Sequence, residues 1–262
     1  MKVQAIIQAL ESWAPPQYAE SYDNVGLIVG DSDQEVTGVL VTLDSIESVI
    51  DEAIETGLNM IIAHHPILFK GLKKINGATY VERAVIKAIK HDISIYALHT
   101  NLDNIITGVN SKIADILGLQ DQKILAKKDS ITMSIGSGII GQLAQPVTAL
   151  QFLQEVKSKM GLGVIKHTVL LENPIHTIAL CGGSGSFLIP EAIKAGADVF
   201  ITSDLKYHEY FDADGKILLM DIGHYESERY TSELIQHYLQ KNLNGLLVRQ
   251  TSLTTNPVQY FV

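Results

Sequence analysis

Short apolar runs alternate along this chain with segments in which apolar residues recur every three or four positions. The runs have the length of buried strands, and each ends at a polar or turn residue; they lie at 39–43, 59–63, 93–98, 199–202 and 217–222. Helical spacing follows the first three of them, at 46–54, 81–89 and 109–117. This alternation predicts an α/β fold with a mixed, mostly parallel sheet.

The middle of the chain departs from this pattern. A mixed stretch with several glycines is followed by a helical segment around 147–160 and then by two short β-rich runs. We therefore expect two α/β subdomains. The larger combines residues 1–123 with residues 190–262, and the smaller spans residues 124–189.

Two adjacent histidines, His64 and His65, stand where the second apolar run ends, and Pro66 follows at once. Neighbouring strand residues point to opposite faces, but at a strand end that proline bends, both rings can reach one cluster. Two imidazoles at this place are costly to bury unless something binds them. The partners are either backbone carbonyls, in a purely structural pair, or a pair of metal ions.

A second polar cluster, residues 223–228, follows the last apolar run. A helical stripe continues beyond it to Leu239, so a helix is predicted to begin here. Positions four apart share a helix face, so His224 and Glu228 project together, whereas Glu226 faces elsewhere. An imidazole and a carboxylate on one face are a usable pair of metal ligands.

The remaining strand ends carry polar residues as well. His99 and Asp103 follow the third run, and Ser203 and Asp204 follow the fourth. In parallel α/β sheets the working residues collect at the carboxyl ends of strands, so we expect these side chains at one edge with the histidines. Considered alone, Asp103 is also explained as a turn residue bonded to its own backbone.

Some polar residues have predicted roles at or near helix starts. Asp44 is expected to cap the helix after the first strand, with Glu47 at capping-box spacing, and Asp204 to cap a later helix. His208 lies four residues beyond Asp204. It is either a proton donor at the sheet edge or a partly exposed helix histidine.

A glycine-rich turn at 182–185 joins a strand to a helical pattern. Its consecutive backbone N–H groups would suit an anion such as phosphate. The turn lacks the lysine of a P-loop and the spacing of a dinucleotide fingerprint, so a plain tight turn is the alternative.

Composition narrows the chemistry. The 262 residues carry a formal net charge of −9 with no block of Lys and Arg, which argues against a nucleic-acid surface. The single cysteine, Cys181, excludes an internal disulfide and a thiolate-rich zinc site, so a metal must use nitrogen and oxygen. No apolar run approaches the roughly 18 residues of a membrane span, and no signal peptide is evident. We expect a cytoplasmic protein without a membrane partner.

These segments together resemble the dinuclear-metal family of GTP cyclohydrolase I type 2 homologues, also called the NGG-interacting-factor-three-like family. The resemblance runs along nearly the whole chain and is carried by residues 23–27, 63–66, 99–103, 181–185, 202–208 and 223–228. It implies two divalent metal ions, with Glu228 as their bridge, and the ligands His64, His65, Asp103, His224 and Glu228. Zinc, iron, manganese and nickel all suit such ligands. The resemblance also implies a ring- or cage-shaped homohexamer, in the compact form that lacks a central insertion.

The activity that this resemblance implies is a metal-dependent hydrolase acting on a nucleotide or a related small molecule. In the cyclohydrolase reaction, water attacks the C–H carbon of the guanine imidazole ring, the ring opens and formate leaves. His99 or His208 would move the protons, because histidine titrates near neutral pH. The alternative is a metal-binding scaffold, a metal-delivery factor or a regulatory protein without turnover of its own.

Overall fold

The computed structural model describes residues 1–128 and 134–261; the remaining residues of the stretch expected to be mixed lie outside this part. The described chain contains nine α-helices: α1 (Val3–Trp13), α2 (Glu47–Thr56), α3 (Tyr80–Lys90), α4 (Thr100–Asp103), α5 (Val109–Leu117), α6 (Ala149–Lys159), α7 (Ile189–Lys194), α8 (His224–Glu228) and α9 (Thr231–Asn242). It also contains eleven strands: β1 (Gly26–Val29), β2 (Val39–Asp44), β3 (Met60–His65), β4 (Ser94–Ala97), β5 (Gln120–Lys127), β6 (Gly136–Val147), β7 (Lys166–His167), β8 (Ile175–Ser184), β9 (Val199–Ser203), β10 (Leu218–Asp221) and β11 (Val248–Gln250).

The chain divides into two compact units. The first comprises Met1–Leu102 with Thr231–Gln259, and the second comprises Asp103–Tyr230 with Tyr260–Val262. The predicted division differs, because it groups residues 103–123 and 190–230 with the N-terminal part of the chain. In the structure β9 pairs with β8, and β10 pairs with β9, so these strands extend the sheet of the second unit.

The sheet of the first unit has the strand order β1-β4-β3-β2-β11. Its pairs β4-β3, β3-β2 and β2-β11 are parallel, and β1 runs antiparallel to β4. The expected mostly parallel sheet is confirmed here. The register sets Asp44 opposite His65, which brings the carboxyl ends of β2 and β3 level with each other.

Helices α2 and α3 hold this sheet through apolar packing. Val49 and Ile50 of α2 and Val85 of α3 belong to one buried cluster with Ile61 of β3 and Ile95 of β4. Burial of each such side chain contributes roughly 1.5–3 kcal/mol relative to exposure. The apolar faces of α2 and α3, which the helical spacing in the sequence predicts, therefore fix the positions of the strands that lead to the histidines.

The sheet of the second unit has the strand order β5-β6-β8-β9-β10-β7. Strands β8, β9 and β10 are parallel, whereas the outer pairs are antiparallel. Phe200 and Leu219 from this sheet are buried with Leu188 and Ile189 at the start of α7. The fold is therefore α/β with two mixed sheets. This is the fold class that the sequence predicts.

The helix predicted to continue from His224 to Leu239 is two helices. Helix α8 ends at Glu228, and α9 begins at Thr231. The boundary between the two units falls in this break, so each helix belongs to a different unit. Within residues 1–128 and 134–261, no helix combines the length and the apolar character that a membrane crossing requires.

Candidate metal centre

The first unit gathers three histidines at the carboxyl ends of β3 and β4. His64 is fully buried and His65 is half-buried, and their ring centroids lie 4.9 Å apart. The ring of His99 lies 5.3 Å from that of His64 and 5.5 Å from that of His65. One nitrogen from each ring lies within 4.8 Å of the others. Three imidazole nitrogens at this spacing could hold a metal ion.

The adjacent histidines are both held through Nδ1. His64 Nδ1 donates to the backbone carbonyl of Leu98 at 2.7 Å, and His65 Nδ1 donates to Oδ1 of Asp44 at 2.7 Å. Because these oxygens accept the hydrogen bond, the proton sits on Nδ1 and the metal-binding lone pair sits on Nε2. The structural alternative of a backbone-bonded pair thus holds for one nitrogen of His64, while its other nitrogen keeps its ligand capacity.

Asp44 anchors His65 and does not cap α2. Its second oxygen, Oδ2, accepts a hydrogen bond from Thr255 Oγ1 at 2.5 Å. Burial raises the pKa of Asp44, but the hydrogen bonds and charge of its partners lower it further, so the net shift is downward. The predicted cap is wrong: the N-cap residue of α2 is Ile46.

His99 has an equivalent anchor in Asp23. Its Nδ1 donates to Asp23 Oδ1 at 2.8 Å, while Thr100 donates to Oδ2 through its backbone N–H and its hydroxyl. Burial raises the pKa of Asp23, but the hydrogen bonds from His99 and Thr100 outweigh it and lower the pKa to about 2. The carboxylate is therefore ionised at any physiological pH and keeps the imidazole oriented.

The second unit carries the other imidazole–carboxylate group. His224 Nε2 lies 3.0 Å from Glu228 Oε2, as the four-residue spacing on a helix predicts. His224 Nδ1 donates to Asp204 Oδ2 at 2.7 Å. Glu226 lies beside Gly223 and interacts with Tyr260 instead, so the preference for Glu228 over Glu226 agrees with the geometry.

The raised pKa of His224 indicates that this imidazole–carboxylate group favours a positive charge. Burial lowers the pKa of His224, but the hydrogen bonds and charges of Asp204 and Glu228 raise it to about 11. A proton therefore sits between His224 Nε2 and Glu228 Oε2 at neutral pH. A divalent cation would take the place of that proton, since both atoms are metal donors.

Asp103 is the first residue of the second unit and the last of α4. Its backbone carbonyl accepts a hydrogen bond from Asn110 at 3.1 Å. Burial raises the pKa of the Cys181 thiol, and the charges of Asp103 and Glu228 raise it further. Both carboxylates therefore act on the same buried end of β8.

The glycine-rich segment at the end of β8 makes room for Glu228. The N–H groups of Gly182, Gly183 and Gly185 donate to the side chains of Asn110, Ser227 and Thr202, at 2.8–2.9 Å. These three amides are thus not offered to a phosphate. The predicted tight turn is not present either, because Gly182 and Gly183 belong to β8, which continues with an irregular register to Ser184. A Cβ on Gly183 would lie 2.3 Å from Oε1 of Glu228.

His208 lies on the exposed side of a 3-10 helix, Tyr207–Ala213, where its ring contacts Tyr207 and Phe211. Asp204 does not cap this helix, since its N-cap residue is Lys206. Asp204 instead adopts a left-handed φ of 58° and holds His224. These aromatic contacts give no support to a proton-donor role for His208, which stays a prediction. His99, in contrast, lies among the other imidazoles.

The sequence pattern does not identify the three anchoring aspartates as members of the site. Asp44 directly follows the apolar run 39–43, Asp204 lies two residues beyond the run 199–202, and Asp23 lies shortly before β1. The local pattern predicts Asp44 and Asp204 as helix caps. The better signal is the position of each aspartate at the same sheet edge as a histidine.

The donor set fits divalent metal ions. Imidazole nitrogens and carboxylate oxygens are ligands for zinc, iron, manganese and nickel. The hydrogen bonds at Nδ1 hold the imidazole rings in place, as is usual for metal-ligating histidines. The structure brings His64, His65 and His99 together in one unit and His224 with Glu228 in the other. That both groups share one centre stays a prediction.

The fold and the site together define a class of protein. It is a two-sheet α/β protein whose strand ends carry histidine and carboxylate groups able to hold a metal ion. A family model matches residues 1–257. The chain belongs to the Duf34/NIF3 (NGG1p interacting factor 3) family.

Individual relatives agree with this assignment. A Clostridium acetobutylicum protein named GTP cyclohydrolase 1 type 2 homolog is 37% identical over 248 residues, which cover 94% of this chain and 91% of the relative. A Campylobacter jejuni protein of the same name is 34% identical, with both chains covered in full. The crystal structure of Staphylococcus aureus protein SA1388 matches with a TM-score of 0.92 and 31% identity, covering 100% of this chain and 99% of that one.

Proposed function

We propose that this protein is a dinuclear metal-binding hydrolase acting on a nucleotide or a related small molecule, as the name of its relatives suggests. One observation carries the proposal: four imidazoles are each held at Nδ1 by an oxygen acceptor. Three of these acceptors are carboxylates. Such carboxylate–histidine pairs are the usual support of metal-ligating histidines.

The proposed ligands are the five residues that the family resemblance implies. His64 and His65 would come from the first unit, and Asp103, His224 and Glu228 from the second. When bound, the two ions would act as Lewis acids and lower the pKa of a water molecule. Asp44 and Asp204 would keep the ligating rings in the Nδ1–H tautomer.

His99 is the residue that we propose for proton transfer. Because Asp23 holds its Nδ1–H, its Nε2 is the atom that can accept a proton from the attacking water. In a cyclohydrolase reaction, that water adds to the C–H carbon between the two nitrogens of the guanine five-membered ring. One carbon–nitrogen bond then breaks and leaves a formamide on the other ring nitrogen. A second water hydrolyses that formamide, so that formate leaves; the ribose-bearing nitrogen gains one proton and the other nitrogen gains two.

Metal content and turnover on one set of samples test the proposal. Purified protein is loaded separately with zinc, iron, manganese or nickel, and formate release from GTP is measured. We expect two ions per chain and turnover with at least one metal. His64→Ala should lose metal and turnover but keep the wild-type circular dichroism spectrum.

His237→Ala is the matched control, because His237 is an exposed histidine of α9 outside both donor groups. It should behave as the wild type in both measurements. If fully loaded wild-type protein releases no formate from GTP and hydrolyses no other nucleotide, the hydrolase proposal is rejected. A metal-binding scaffold or delivery protein would then remain.

Two further expectations accompany this proposal. The family resemblance implies a homohexamer of 28.7-kDa chains, which light scattering after size-exclusion chromatography would measure directly. A cytoplasmic location agrees with a single cysteine that can form no internal disulfide.

A further inference from the structure

A cavity of about 550 Å³ lies in the first unit beside the histidine cluster. His65 and its anchor Asp44 form part of its wall. Most of the other lining side chains are apolar or aromatic, among them Ile46, Ile67, Leu72 and Tyr80. This volume and lining are typical of small-molecule sites.

Ser45 is a buried polar residue in the lining of this cavity, and it is 1% exposed. Its Oγ has no hydrogen-bond partner within residues 1–128 and 134–261. A buried hydroxyl without a partner costs stability, so a ligand atom that bonds to it gains affinity.

Phe69 borders both the cavity and the histidines. Its ring is 45% exposed, lines the cavity and lies 6.2 Å from the ring of His99 in an edge contact. A planar ring stacked on Phe69 would therefore lie next to the imidazole cluster. Any nucleobase can stack on an aromatic side chain, because every nucleobase has a π-face.

Lys70 supplies a cation at the exposed side of the same cavity. The two acidic side chains of the lining are already engaged. Asp44 accepts from His65 and Thr255, and Glu82 accepts from the backbone N–H groups of residues 76 and 78. The positive charge of Lys70 is therefore available to an anionic group of a ligand.

We propose that this cavity is the nucleotide subsite of the hydrolase, and this rests on the proposed function. Phe69 stacks on the base, the hydroxyl of Ser45 bonds to a polar atom of the base edge, and Lys70 pairs with the phosphates. The reacting ring then lies beside His65 and His99.

Isothermal titration of metal-loaded protein with GTP and with guanosine separates these contacts. Phe69→Leu should weaken both ligands roughly 10-fold or more, since stacking is lost. Ser45→Ala should weaken both roughly 3- to 10-fold, since one hydrogen bond is lost. Lys70→Gln should weaken GTP roughly 2- to 5-fold and leave guanosine unchanged, since the pair is exposed to solvent.

Lys90→Gln is the matched control, because Lys90 is an exposed lysine at the end of α3 outside the cavity. It should bind both ligands as the wild type does. Metal content is measured for every variant, so that a lost ion is not mistaken for a lost contact.

Failure of the subsite and failure of the hydrolase give different results. If Phe69→Leu and Ser45→Ala bind GTP and guanosine as the wild type does, or if the wild type binds neither, the subsite is rejected. Turnover that depends on His64 would then still support the hydrolase. If the expected binding pattern appears without any turnover, the hydrolase is rejected and the subsite stands.

Discussion

Asp204 holds the imidazole of His224 across twenty positions of the chain, through a hydrogen bond of 2.7 Å from Nδ1 to Oδ2. Asp204 reaches it from a left-handed backbone conformation directly after β9. The same relation joins Asp44 to His65 and Asp23 to His99. Anchored imidazoles recur at the ends of three different strands, so the arrangement belongs to the site and not to one local turn.

Replacing Asp204 with alanine should weaken metal binding roughly 10- to 100-fold, because His224 loses its fixed tautomer and orientation. Competition with a chromogenic chelator measures the change. Asp214→Ala is the matched control, since Asp214 also has a left-handed φ, of 48°, but pairs with Lys216 and not with a histidine in the part of the chain that the structure describes. Equal metal affinity in the two variants would contradict the anchoring role.

Gly183→Ala should displace the carboxylate of Glu228, because a Cβ there would lie 2.3 Å from Oε1. We expect loss of metal and a loss of stability above the roughly 1–2 kcal/mol that a left-handed alanine costs. Gly196→Ala separates the two effects, since Gly196 has a φ of +74° but open space around it. If Gly183→Ala retains two ions per chain, Glu228 is not a ligand.

Glu52 ties the C-terminal segment to α2 and should make stability depend on pH. Its Oε1 accepts from the N–H and hydroxyl of Ser252 at 2.8 Å, and Oε2 accepts from Thr251. Burial raises the pKa of Glu52, but these hydrogen bonds outweigh it and lower the pKa below the ordinary 4.5. The stability contribution is therefore present above pH 4.5 and is lost as the pH falls through the lowered pKa.

Glu52→Gln should reduce the free energy of unfolding by about 1 kcal/mol at pH 7. The difference from the wild type should shrink as the pH falls below 4.5, which urea denaturation at several pH values measures. Glu55→Gln, on the exposed side of the same helix, should have little effect at any pH. A Glu52→Gln deficit that is the same at pH 3 and pH 7 would exclude the ionised carboxylate as its cause.

Asn101→Ala should destabilise the first unit by about 2 kcal/mol. The buried side chain donates to the carbonyl of Ala14 at 2.7 Å and accepts from the N–H of His99 at 2.9 Å. Both backbone groups would lose their partner. Thermal unfolding compares this variant with Asn242→Ala, whose exposed amide makes one bond to the carbonyl of Tyr238 and should cost much less.

Most of the secondary structure could be predicted from local pattern. The apolar runs at 39–43 and 59–63 correspond to β2 and β3, and the helical pattern around 147–160 corresponds to α6. The division into units could not be predicted in this way. It depends on β9 and β10 joining β8 in one sheet, and strand order leaves no local trace in a sequence.

The sequence by itself determined which side chains stand at the ends of strands, because alternation and helical spacing are properties of neighbouring residues. It also determined that any metal must be held by nitrogen and oxygen, since the chain has one cysteine. Only the tertiary structure decided that Asp23, Asp44 and Asp204 anchor histidines and that His99 joins His64 and His65. Those contacts join residues 20 to 76 positions apart, and strand register and order set them.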